Sequence, residues 1–129
     1  CYQAPMEVLM TASSGFLTTH ILDTANGVPA QGVRIELYRL DGDRRCQLSN
    51  VRTNKDGRTD QPILPKGSME AGRYELLFFI GDYFAGDQEK PINDFLDVVP
   101  VRFGISNSDE HYHVPLLASP YSFSTYRGS

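Results

Sequence analysis

Apolar and polar residues alternate with a period of two through most of this chain, which predicts strands rather than helices. In Phe16 to Asp23 the alternation sets Leu17, Thr19 and Ile21 on one face and Thr18, His20 and Leu22 on the other. Val33, Ile35 and Leu37 alternate with Arg34, Glu36 and Tyr38 in a second strand, and Asp41-Gly42-Asp43 turns the chain into a third, Arg45 to Thr53. Arg73 to Ile80 is the most hydrophobic strand segment and is expected near the centre of its sheet. Phe95 to Ile105 contains Pro100, which points to an edge strand or a bulge. His111 to Ala118 and Tyr121 to Tyr126 supply the last two strands. On His111 to Ala118, His111 and His113 share one face, while Tyr112, Val114 and Leu116 take the core.

Turn chemistry separates these strands. Asn26-Gly27 and Pro29 mark a turn region from Asp23 to Gly32, and Asn54-Lys55-Asp56-Gly57-Arg58 is a second turn with Gly57 at the left-handed position. Pro62, Pro65 and Gly67 make a loop of Asp60 to Gly72. The acidic stretch Gly81 to Lys90 is compatible with one short helix, although Gly86 weakens it. Residues 1–14 carry no sustained period and are expected to be a flexible arm, leaving 15–129 as the domain. Short strands at hairpin spacing, with scarcely any helical periodicity, indicate an all-β sandwich.

A chain of 129 residues is long enough for one domain with its own core. Its formal net charge of −4 offers no basic stripe for phosphates, so nucleic acid is not an expected partner. The longest apolar run is far shorter than the ~20 residues a membrane-spanning helix takes, so no membrane partner is expected. Two cysteines, Cys1 and Cys46, lack the dense even spacing of a stapled domain and read as free thiols. The chain starts without Met or an apolar leader, and an upstream segment removed by processing would account for this. The expected location is the cytoplasm, or the periplasm if such a leader existed.

Candidate chemistry rests on few residues. There is no Gly-x-Ser-x-Gly elbow, no Gly-rich phosphate loop, and no histidine beside either cysteine in sequence. What remains is His20, His111 and His113, all on outward strand faces, with Arg58 just beyond a turn. Three histidines can hold Zn²⁺ with an open position for water, or can act metal-free as general acid and base beside a fixed guanidinium charge. Spacing does not separate these two mechanisms, and solvated strand histidines are the plain competing reading.

Leu17-Thr18-Thr19-His20-Ile21-Leu22-Asp23, Asp56-Gly57-Arg58, Gly81-Asp82-Tyr83-Phe84, His111-Tyr112-His113-Val114-Pro115-Leu116-Leu117 and the terminal Tyr126-Arg127-Gly128-Ser129 together resemble the 5-hydroxyisourate hydrolases. These are transthyretin-related enzymes of urate breakdown. The hormone-carrying transthyretins resemble them in fold but lack the terminal tetrapeptide, as well as the residues matching His20, Arg58 and His113. The resemblance implies two four-stranded sheets in a prealbumin-like sandwich, a short helix near Gly81 to Asp87, and a homotetramer whose channel holds the active sites. It also implies hydrolysis of the cyclic amide of 5-hydroxyisourate without a metal or other cofactor. In that reading His20 and His113 activate water and Arg58 stabilises the oxyanion. Tyr126, Arg127 and Ser129 line the pocket, and His111 supports it. A non-catalytic small-ligand carrier of the same fold is the alternative function.

Overall fold

The computed structural model describes residues 13–86 and 93–128. Two four-stranded sheets face each other across an apolar core. The first, in order β2-β1-β7-β8, comprises β1 (Phe16–Asp23), β2 (Val28–Pro29), β7 (His111–Ala118) and β8 (Phe123–Thr125). The second, in order β4-β3-β5-β6, comprises β3 (Arg34–Asp41), β4 (Arg44–Arg52), β5 (Gly72–Phe78) and β6 (Val99–Ile105). The sandwich expected from the alternation is the observed fold.

The alternation in β1 is complete: Leu17, Thr19, Ile21 and Asp23 are buried, and the residues between them are half-exposed. From the first sheet Leu17, Ile21, Val114 and Leu116 enter the core; from the second, Ile35, Leu37, Tyr74, Leu76 and Phe78. β5 is an inner strand, as its composition predicts, and Pro100 sits on the edge strand β6, where a missing backbone N–H costs no ladder bond. On the outer face of the second sheet, Glu75 is buried between Arg45 and Arg102, each 2.9 Å away. Burial alone would raise its pKa, but the bonds to these two arginines outweigh it and hold the carboxyl below its ordinary value.

Some expectations are corrected. Val28–Pro29 forms a short strand paired with Leu22 and Asp23, inside a region predicted as turn only. The helix α1 runs Ile80–Ala85, starting before and ending short of the expected span, because Gly86 takes a left-handed φ of 60° and donates its N–H back to Asp82 and Tyr83. Cys46 on β4 is disulfide-bonded, not a free thiol. Cys1 lies outside the described residues, as does nearly all of the expected arm over 1–14. Ser13 and Ser14, which are described, hydrogen-bond to the Met69 carbonyl and to Asp109.

Two contacts of the first sheet bring residues distant in sequence together on its outer face. β1 and β7 run parallel, with Phe16 opposite His111, Thr18 opposite His113 and His20 opposite Pro115. The segment after β4 then docks along the other side of β1, through bridges Leu17↔Leu64 and His20↔Arg58. A buried aspartate ties β1 to the helix: Asp23 accepts hydrogen bonds from the Tyr83 hydroxyl at 2.7 Å and from the Asn26 backbone and side chain. Burial and the neighbouring Asp23 carboxylate push the Tyr83 hydroxyl up to about 12, so it stays a donor at any ordinary pH.

Candidate active site

Strand parity and parallel pairing build this site. Residues of β1 and β7 at outward positions share one face of the sheet, so the pairing brings Phe16, Thr18 and His20 beside His111 and His113. His111 stacks on Phe16 with ring centroids 4.1 Å apart and an interplanar angle of 11°. The Thr18 hydroxyl lies between the two imidazoles, 2.6 Å from Nε2 of His111 and 2.8 Å from Nδ1 of His113.

A tight turn sets the opposite wall. Gly57 adopts a φ of 75°, the Asn54 side chain accepts from the Asp56 N–H, and Ile21 N–H donates to the Gly57 carbonyl at 2.8 Å. That bond places Arg58 next to His20 across β1. A Cβ on Gly57 would fall 2.4 Å from the Ile21 carbonyl oxygen. Gly57→Ala is therefore expected to cost about 1–3 kcal/mol in chemical unfolding and to displace Arg58, since it combines left-handed strain with a backbone clash.

Between the walls lies an open cleft of about 310 Å³, lined by Thr18, Thr19, Arg58 to Pro62, His111 and His113. The guanidinium of Arg58 acts on both His20 and His113. Both imidazoles are held below their ordinary pKa, first by burial and then by the Arg58 charge, with His111 and His20 adding to the effect on His113. A hydrogen bond with the Asp56 backbone offsets part of the shift at His20. Both rings are thus neutral near pH 7 and able to accept a proton.

The C-terminal tail borders the cleft on the β8 side. The β7–β8 register, with Leu116 opposite Thr125, continues to His113 opposite Gly128, where the Gly128 N–H donates to the His113 carbonyl at 2.7 Å. A Cβ on Gly128 would come within 2.7 Å of Cδ2 of His113, so glycine leaves the imidazole its space.

The candidate residues divide accordingly. His111, His113 and Arg58 meet at the cleft, and His20 adjoins Arg58 without lining it. Tyr126 is exposed and does not line the cleft within this chain. Arg127 lies on the other face, its guanidinium 4.0 Å from the Tyr112 ring centre and bonded to Glu110 and to the His111 carbonyl. Ser129 lies outside the described residues. Sequence reasoning gave no role to Thr18, although its outward position two residues before His20 was the available signal. Among the described residues, no three His, Cys, Asp or Glu side chains converge as a metal's ligand set would.

The HIUase/Transthyretin family model matches residues 17–128. The protein named 5-hydroxyisourate hydrolase 2 from Rhizobium meliloti (strain 1021) is 56% identical over 119 residues, covering 92% of this chain and 99% of that one. The crystal structure of (S)-allantoin synthase aligns with a TM-score of 0.81 and 51% identity over 91% of this chain, which spans 44% of that longer chain. Sea bream transthyretin in complex with thyroxine aligns with a TM-score of 0.76 at 26% identity, over 87% of this chain and 93% of that one. With a sandwich of this topology, and a match running from the first core residue of β1 to the glycine that pairs with His113, the chain belongs to the HIUase/Transthyretin family.

Proposed function

We propose that this chain hydrolyses the cyclic amide of 5-hydroxyisourate to give 2-oxo-4-hydroxy-4-carboxy-5-ureidoimidazoline. The observation that carries the reading is the polar cleft in which neutral imidazole and a guanidinium face each other. Amide hydrolysis needs a base for water, positive charge where the carbonyl oxygen becomes an oxyanion, and a proton for the departing nitrogen. His113 serves as the base, and His20 adjoins Arg58 at the margin of the cleft. Arg58 stabilises the oxyanion. The proton gathered by imidazole returns to the nitrogen as the C–N bond breaks. A carrier of an apolar ligand would want a greasy cavity, and this cleft is instead lined by threonine, imidazole, guanidinium and carboxylate side chains.

The cleft is open on its outer side, and the exposed rings of Tyr121, Phe123 and Tyr126 lie on and beside the edge strand β8. A homotetramer, two dimers meeting over this face, would enclose substrate and bring Tyr126 and Ser129 to it, with Arg127 anchoring the tail from behind. Light scattering is expected to return four times the chain mass.

The decisive assay follows the ultraviolet absorbance of freshly generated 5-hydroxyisourate with and without protein. Faster decay with the expected product supports the reading; decay at the spontaneous rate together with tight binding of an apolar ligand would replace it with the carrier. Activity is expected to survive exhaustive chelation, because the Arg58 charge repels a divalent cation and no three-ligand set is present among the described residues. Loss to a chelator, with recovery on adding Zn²⁺, would reverse that expectation.

The tail gives a further test. A chain ending at Tyr126 loses the Gly128 bond to His113 and the Arg127 contacts. It is expected to lose at least about tenfold in kcat through a loosened His113, while retaining its melting temperature within a few degrees, since exposed chain ends contribute little to the core.

A further inference from the structure

We propose that Thr18 is a positioning residue whose single hydroxyl joins His113 to His111, fixing the tautomer of the base and opening a path for its proton. The proposal rests on the hydrolytic reading above and deepens it. Its starting point is the bridge itself: one oxygen within hydrogen-bond distance of a nitrogen on each ring, on a half-buried side chain at the floor of the cleft.

A hydroxyl carries one proton, so it donates to one of these nitrogens and accepts an N–H from the other. In the first neutral arrangement Nδ1–H of His113 donates to Thr18 Oγ1, whose own proton goes to Nε2 of His111. Nε2 of His113 is then bare. The second arrangement reverses both bonds and leaves His113 with a proton on Nε2, where it has no lone pair for water. Protonating both bridging nitrogens would leave the hydroxyl proton without an acceptor, since Thr18 Oγ1 has no other hydrogen-bond partner among the described residues.

Arg58 chooses between the two. With Nδ1 of His113 taken by Thr18, Nε2 is the nitrogen left for the cleft that Arg58 also lines. A cation favours a lone pair over an N–H dipole, which selects the first arrangement. The stack of His111 on Phe16 holds the second ring where it can accept from Thr18.

The same chain carries a proton in balance. Water loses a proton to Nε2 of His113 as its oxygen adds to the carbonyl carbon. The Nδ1 proton then passes to Oγ1 while the Thr18 proton passes to Nε2 of His111. Thr18 ends as it began, and the positive charge moves to His111, on a ring centred 6.0 Å from that of His113. The reverse transfer returns a proton to Nδ1 of His113, and the imidazolium so formed delivers its Nε2 proton to the departing nitrogen as the C–N bond breaks.

Histidine ¹⁵N–¹H correlation spectra of the full-length protein, together with kinetics of Thr18→Val and Thr18→Ser, test this. In the unsubstituted protein His113 is expected to be protonated on Nδ1 and His111 to be unprotonated on Nε2. Thr18→Val, which removes the hydroxyl at nearly constant volume, should scramble the His113 tautomer and lower kcat about tenfold or more with KM little changed. Thr18→Ser should restore both. A His113 protonated on Nε2 in the unsubstituted protein would overturn the proposal, as would Thr18→Val keeping both the tautomer and kcat. Should Thr18→Val fail to fold, the spectrum of the unsubstituted protein still decides. That spectrum needs no substrate, so an absence of hydrolysis would sink the functional reading while leaving the tautomer result to stand or fall separately.

Discussion

His113→Asn is expected to lower kcat on 5-hydroxyisourate by about a thousandfold, within the 10²–10⁴ range that general-base catalysis contributes. The substitution keeps a polar side chain beside Thr18 but removes the imidazole that takes the proton from water. Few core contacts are lost, because His113 is half-exposed on the outward face of β7. Its melting temperature should therefore stay within a few degrees of the parent, as for most substitutions outside the core. KM should change less than kcat, since the lost interaction belongs to the transition state. Near-normal turnover would remove His113 from the role of base. A collapsed melting temperature would make it a structural residue instead.

The outward placement of the three histidines was legible because strand parity is a local property: two residues make one repeat, and the buried partners Leu17, Ile21, Val114 and Leu116 declare the core side. What brings the histidines to Arg58 is not local. The parallel pairing of β1 with β7 puts Thr18 opposite His113, and the docking of the Gly57 turn on Ile21 puts Arg58 beside His20. Neither contact has a signature in hydrophobic period, so the sequence put Arg58 just beyond a turn without a partner strand, and Thr18 had no assigned part. The resemblance to a family gave Arg58 its role at the oxyanion; it gave none to Thr18. It also placed Arg127 in the pocket wall, whereas the β7–β8 register carries Arg127 to the face of Tyr112. The two-residue strand Val28–Pro29 escaped because it is too short to show a period.

Arg58→Met is expected to lower kcat/KM by about a hundredfold or more and to move the acid limb of the pH–rate profile to higher pH. The first effect follows from removing the guanidinium that lines the cleft, where charge develops on the carbonyl oxygen. The second follows from its field. Arg58 acts together with burial to depress the pKa of both His20 and His113, so their neutral, proton-accepting forms persist below the ordinary imidazole value of ~6.5. In the parent protein, activity should fall only as pH drops through that depressed range. Without the guanidinium the proton binds more readily, the base is lost earlier on acidification, and the limb shifts upward. Burial still operates, so the shift is partial. Arg58→Lys, which keeps the charge but not the planar donor fork, should leave the limb near its parent position while recovering only part of the rate. An Arg58→Met limb that stayed in place would mean that the guanidinium does not act on the base. Full activity in that variant would mean that the oxyanion is stabilised elsewhere.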